Sequence, residues 1–215
     1  LSAHVVHGRR PGPVMFVSAA IHGDEVIGVE VVRRLLRAAP LARLSGTLIA
    51  VPIVNTFGFL NRSRYLPDRR DLNRCFPGSA EGSLASRLAD LFLREIVSRC
   101  DYGIDLHSAA EGRENLPQMR LSPGEADLAR LGRVFAAPVT LVSKVREGSL
   151  RLEAAKAGCP VLLYEAGEGL RFDEVAARTG VSGILRVMAE LGMIAGRGVP
   201  RGRPAVHRWR AAVRW

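Results

Sequence analysis

The sequence predicts an α/β fold, with helices packed on a mostly parallel or mixed sheet, and three observations carry that prediction. Short apolar, β-branched runs alternate with longer stretches of helical periodicity. At 215 residues and 47% hydrophobic content, the chain is long enough for one sizeable core and too short for several. Polar residues able to do chemistry stand at the ends of apolar runs, where open α/β sheets gather their ligands.

The elements follow in chain order. His4–Val6 is a short strand, and Val14–Ala19, reading Val-Met-Phe-Val-Ser-Ala, is a buried one. A helix is expected over Glu25–Ala38, and the apolar run Gly46–Val54 returns as a strand. The stretch from Asn55 to Gly82 is too long for a mere connection, and such loops tend to carry function. Ser83–Arg99 reads as a helix because Leu84, Leu88, Leu91, Phe92 and Ile96 fall on one face at helical spacing, as core packing requires. Tyr102–Leu106, Val139–Val142 and Pro160–Glu165 are apolar strands. Between and after them, Pro123–Ala136, Ser149–Ala157 and Phe172–Leu191 read as helices.

The net charge of +10 invites a nucleic-acid partner, but its distribution argues against one. Residues 191–215 hold six arginines and no acid, which leaves about +4 on the rest of the chain. Of the 31 basic residues 29 are arginine, which reads as a compositional bias as much as a phosphate-binding face. A basic tail alone gives weak, salt-sensitive binding without sequence preference. No uncharged apolar run reaches the ~18 residues of a membrane span, and Leu1 to Pro13 lacks the apolar core of a signal peptide. A soluble, cytoplasmic protein without a membrane partner is expected. Cys75, Cys100 and Cys159 are odd in number and widely spaced, so buried free thiols are expected rather than a disulfide framework or a cysteine metal cage.

Three strand ends carry the chemistry. In "FVSAAIHGDEVIG", His22 and Glu25 are three apart across a turn at a helix start, so both can face one point. Alone, the plainer reading is a helix whose dipole is capped by Asp24 or Glu25. In "DYGIDLHSAAEG", Asp105 and His107 are two apart and share a face of their strand. His107 is then a candidate third ligand and Asp105 a candidate carboxylate to orient a metal-bound ring, although alone the plainer reading of His107 is a hydrogen-bonded surface residue. Two histidines and a glutamate are the donor set of a catalytic zinc site that leaves a position for water. Glu165, ending "PVLLYE", is placed to act as general base toward that water and then as general acid toward a leaving nitrogen, the plainer alternative being a buried ion pair. Glu168 lies too far into the loop, and Asp24 is left to the helix start.

In this order, "HGDE", "NRSRYLPDRRDLNRCFPG", "IDLH" and "YEAG" resemble the succinylglutamate desuccinylase and aspartoacylase family, relatives of the zinc carboxypeptidases. The resemblance covers roughly Val14 to Ile194. It implies a three-layer sandwich with a mixed, mostly parallel sheet. It also implies a zinc hydrolase that cleaves the amide of a small N-acyl amino acid, with one Zn²⁺ held by His22, Glu25 and His107 and with Glu165 as the catalytic carboxylate. Arg64 matches the arginine that polarises the scissile carbonyl, and Asn73 and Arg74 match residues that bind the substrate carboxylate. Tyr65 is expected to add a hydrogen bond to the substrate. The flanking Arg62, Arg69 and Arg70 are expected to be plain solvated charge.

Members of that family typically continue into a smaller β-rich domain, whereas this chain stops at Trp215. Residues 1–194 are therefore expected to form the catalytic domain. Residues 195–215 are expected to be a basic tail whose segment "PAVHRWRAAVRW" begins a truncated β domain, or offers a pairing surface for a homo-oligomer. In the loop after His107, Arg113 and Asn115 are candidate substrate contacts. Two other classes stay open: a metallocarboxypeptidase-like hydrolase of a peptide, and a non-catalytic scaffold with a vestigial metal site.

Overall fold

A computed structural model describes residues 1–202 and 207–210. Its elements are β1 (His4–His7), β2 (Arg10–Ala19), α1 (Ile27–Leu35), β3 (Ser45–Val51), α2 (Thr56–Leu60), α3 (Leu84–Glu95), β4 (Tyr102–Ala109), β5 (Asn115–Leu121), α4 (Ala126–Phe135), β6 (Val139–Val142), α5 (Leu150–Lys156), β7 (Val161–Glu168), α6 (Glu174–Glu190) and β8 (His207–Arg210). The eight strands form one sheet in the order β1-β3-β2-β4-β7-β5-β6-β8. Only β1 against β3 and β5 against β7 run antiparallel, so the sheet is mixed and mostly parallel, as the sequence predicts.

Strand alternation divides the core in two. On β2, Met15, Val17 and Ala19 join a cluster with Ile27, Val31 and Leu35 of α1, Leu131 and Phe135 of α4, and Ile184 and Met188 of α6. Phe16 points the other way, into a cluster with Ala85, Ala89 and Phe92 of α3 and Leu150 and Ala154 of α5. The Phe16 and Phe92 rings meet edge to face at 5.8 Å. Sheet and two helix layers make the three-layer sandwich. Cys100 and Cys159 are buried free thiols whose burial pushes each up to about 12, whereas Cys75, also free, is only half-buried, contrary to expectation. Among the described residues, no helix is long and apolar enough to cross a membrane.

Three differences from the expected elements bear on function. The helix expected from Glu25 begins at Ile27, its N-cap is Val26, and no side chain caps it, so neither Asp24 nor Glu25 does that work. The segment after His107, expected to be loop, contains strand β5, in which Pro117, Met119 and Leu121 are buried while Gln118 and Arg120 between them are only partly covered. Pro117 and the polar residues of the second face hide that alternation from a reading that seeks apolar runs. The long Asn55–Gly82 stretch contains α2, capped by the Asn55 side chain on the Gly58 N–H, and a single 3₁₀ turn over Leu72–Arg74. In the basic tail, β8 pairs parallel with β6, and the remainder of "PAVHRWRAAVRW" lies outside the described residues.

Candidate active site

Where β2 ends, Ala20 adopts a left-handed backbone (φ 51°) that turns the chain out of the sheet. The Glu25 N–H donates to the His22 carbonyl at 3.1 Å, closing a tight turn that brings both side chains to one side. Gly23 is required by contact: a Cβ there would lie 2.0 Å from the Gly58 carbonyl carbon of α2. On β4, Ile104 and Leu106 enter the three-helix core, so the intervening Asp105 and the following His107 necessarily face the other way.

The three candidate ligands meet. One donor atom each from His22, Glu25 and His107 lies within 4.8 Å of the others, and all three residues are buried. His22 Nδ1 is 2.7 Å from Glu25 Oε1, and His107 Nδ1 is 2.7 Å from Glu25 Oε2. Each ring turns its other nitrogen to an outer carboxylate, His22 Nε2 to Asp71 Oδ1 at 3.0 Å and His107 Nε2 to Asp105 Oδ2 at 2.7 Å. Asp105 is itself fixed by the Ser18 hydroxyl, which donates to Oδ1 at 2.7 Å. Imidazoles anchored in this way by carboxylates are the usual support of metal-binding histidines, so the residues fit a zinc ion.

The charges are strongly coupled. Burial alone would raise the Glu25 carboxyl, but the two imidazoles outweigh it and hold it down to about 2. Burial alone would lower both histidines, yet Glu25 with Asp71 raises His22, and Asp105 with Glu25 raises His107 well above the ordinary range. The Arg64 guanidinium bonds Asp71 at 3.0 Å and reaches Glu25 at 3.3 Å. On β7, burial raises the Glu165 carboxyl, partly offset by Arg120, whose Nη2 stands 2.7 Å from Glu165 Oε2. Asn115 Nδ2 donates to the same oxygen at 2.7 Å. His22, Glu25, His107, Arg64 and Glu165 all line one cavity of about 580 Å³.

Residues 11–191 match the profile of the succinylglutamate desuccinylase/aspartoacylase catalytic domain. The chain belongs to this family. It is similar to the N-alpha-acetyl-L-2,4-diaminobutyric acid deacetylase of Halomonas elongata, with 30% identity over 176 residues that cover 80% of this chain and 46% of that protein. Its fold resembles the crystal structure of the succinylglutamate desuccinylase/aspartoacylase from Rhodobacter sphaeroides, with a TM-score of 0.85, 26% identity, and coverage of 97% of this chain and 64% of the other. The product-bound ectoine utilization protein EutE (DoeB) from Ruegeria pomeroyi gives a TM-score of 0.88 at 25% identity, over 97% of this chain and 65% of the other. The chain thus spans about half the length of the curated relative and just under two thirds of these solved structures.

Within the desuccinylase/aspartoacylase fold, most of the expected site residues converge. Asn73 and Arg74 line the cavity from the 3₁₀ turn, and Asn73 Oδ1 accepts from the Leu150 N–H at 2.9 Å, joining that turn to the start of α5. Tyr65 is not brought in: it is 47% exposed and absent from the cavity wall, whereas its neighbour Arg64 lines it. Arg62, Arg69 and Arg70 are exposed, as expected. Sequence reasoning missed Asp71, which looks like one more charge in an arginine-rich stretch, and Arg120 and Arg151, which also line the cavity. The signal for Arg120 was the alternation of Pro117, Met119 and Leu121 with Gln118 and Arg120, which the structure resolves as the two faces of β5.

Proposed function

We propose that this chain is the catalytic part of a zinc-dependent hydrolase that cleaves the amide of a small, anionic N-acyl amino acid into a carboxylate and an amine. The observation that carries this reading is the convergence of His22, Glu25 and His107, each histidine backed by a carboxylate, on the cavity that Glu165 also lines. Zinc, when bound by the three, supplies Lewis-acid polarisation of the carbonyl and lowers the pKa of water from about 15.7 toward about 7.

The chain's own residues account for the other requirements. Glu165 is buried at the cavity wall with a raised proton affinity, which suits a group that takes a proton from the attacking water and passes it to the departing nitrogen. Arg64, anchored on Asp71, is a fixed cation beside Glu25 and stabilises the negative charge that develops on the carbonyl oxygen. With Arg64 and Arg120 engaged by acids, Arg74, Arg113, Lys144, Arg146 and Arg151 still face the cavity, an excess of positive charge that favours a substrate bearing carboxylate. The Halomonas elongata relative is by name a deacetylase of an N-acetylated amino acid, which supports hydrolysis of this kind of amide.

The test is metal analysis of the purified chain combined with turnover of a panel of N-acetyl and N-succinyl amino acids, comparing wild type with Glu165→Ala. About one zinc per chain and a fall of about 10²–10⁴-fold or more in the variant are expected. A chain that takes up no zinc at micromolar concentrations refutes the metal assignment. Equal turnover by Glu165→Ala refutes the assignment of the base alone.

A further inference from the structure

The two carboxylate oxygens of Glu165 have different surroundings. Oε2 receives both Arg120 Nη2 and Asn115 Nδ2, each at 2.7 Å. Among the described residues, no donor is found on Oε1. Both donors come from β5, the strand that runs antiparallel beside β7, and the register explains how they reach the same atom. Gln118 pairs with Glu165 and Asn115 with Gly167, so three residues of β5 span two of β7 and the strand carries a bulge between Asn115 and Gln118. In an unbroken strand Asn115 would lie on the opposite face from Gln118 and Arg120. The extra residue returns it to their face, where Glu165 also projects.

Arg120 is committed to this contact. Its ion pair is with Glu165, its Nε is buried without a partner among the described residues, and its backbone carbonyl is pinned by Arg151 Nη1 at 2.8 Å. A guanidinium placed merely to satisfy itself would not leave that donor orphaned.

We infer that Arg120 and Asn115 are positioning residues: by holding Oε2 from the bulged strand they turn Oε1 toward the cavity as the oxygen that carries the proton. The inference rests on the hydrolase reading above and adds the direction from which Glu165 works. In the hydrolytic step the water's O–H bond breaks as its oxygen bonds the carbonyl carbon, and Oε1 accepts that proton. As the C–N bond breaks, the same oxygen returns the proton to the departing nitrogen, so that Glu165 ends as it began.

The experiment compares the wild-type chain with Asn115→Leu, Arg120→Met and the conservative Arg120→Lys, in steady-state kinetics with the N-acyl amino acid panel, alongside zinc content, thermal midpoint and crystal structures. A fall in kcat of about 10²-fold is expected for Arg120→Met, the scale of a mispositioned catalytic group, with KM and zinc content unchanged and much of the rate restored in Arg120→Lys. Asn115→Leu is expected to act in the same direction and carries the test if Arg120→Met does not fold. Rates at the wild-type level in both Asn115→Leu and Arg120→Met, beside an inactive Glu165→Ala, overturn this inference and leave the hydrolase reading intact. A rise in KM at constant kcat also overturns it, because the two residues would then be binding substrate. If the wild-type chain hydrolyses nothing in the panel, the hydrolase reading fails. The crystal structures then decide alone: a Glu165 carboxylate that keeps its orientation in the variants overturns the inference, and one that swings away supports it.

Discussion

On the side of the sheet covered by α1, α4 and α6, the inward residues of β4 and β7 are Ile104, Leu106, Leu162, Tyr164 and Ala166, apolar or nearly so to the strand ends. Their immediate neighbours on the side covered by α3 and α5 are Asp105, His107 and Glu165, which line or support the cavity. Towards their C-terminal ends the same two strands therefore provide packing on one side and chemistry on the other, while Val161 at the start of β7 still packs in the cluster under α3 and α5. The difference teaches how tightly the site is specified: a slip of one residue in register would bury the charges in the larger core and expose its leucines, so the apolar side fixes the position of the polar one.

That comparison can be broken or sharpened by substitutions confined to one side. Leu106→Ala should destabilise the fold by about 2–5 kcal/mol in denaturant titration, through lost burial and a cavity, while zinc stoichiometry stays the same in the folded chain. A folded Leu106→Ala protein that no longer takes up zinc would mean that the two sides are not separable. A smaller effect is expected one residue before Glu165. The Tyr164 hydroxyl donates to the Ala176 carbonyl at 2.8 Å, tying β7 to α6, and Tyr164→Phe should cost about 1–2 kcal/mol of stability with turnover unchanged.

The smallest effect belongs to the outer surface of the three-helix layer, where Arg34 joins Glu30 of its own helix to Glu174 of α6. Hydrogen bonds from Arg33 and Arg34 hold Glu30 down to about 2, against an ordinary value of 4.5. A depressed acid stabilises the fold above its unfolded value and loses that contribution as pH falls through its folded value. The loss should therefore fall between about pH 4.5 and 2. Glu30→Gln should flatten the acid dependence of stability in that window, and high salt should shrink the difference, as expected for exposed pairs.

What the sequence made legible follows the same division. Strands buried on both sides announce themselves as apolar runs, and β2, β4 and β7 were found with small errors at their ends. That His22, Glu25 and His107 meet was legible because two histidines and a glutamate at strand ends are chemically distinctive. Strand β5 was not, because Pro117 and a polar second face break the apolar run, and with it went the role of Arg120. Glu25 was placed inside a helix because it favours one, whereas its carboxylate is drawn to the two imidazoles and the helix starts after it. Asp71 shows a further limit: only the folded loop distinguishes an acid that holds a histidine from one that merely balances neighbouring arginines.

The contact between Gly23 and Gly58 has a consequence for motion. With main chain pressed on main chain, and with the Asn55 N–H bonded to the Ala20 carbonyl at 2.9 Å, the segment that carries Arg64 rests on the turn that carries His22 and Glu25. Local opening of one lifts the other, so the amides from Asn55 to Ser63 and those of the 20–26 turn should exchange with solvent as a single cooperative unit. Fluctuations that would separate the arginine from the histidine and glutamate are thereby opposed by main-chain contact as well as by the Arg64 bonds to Glu25 and Asp71.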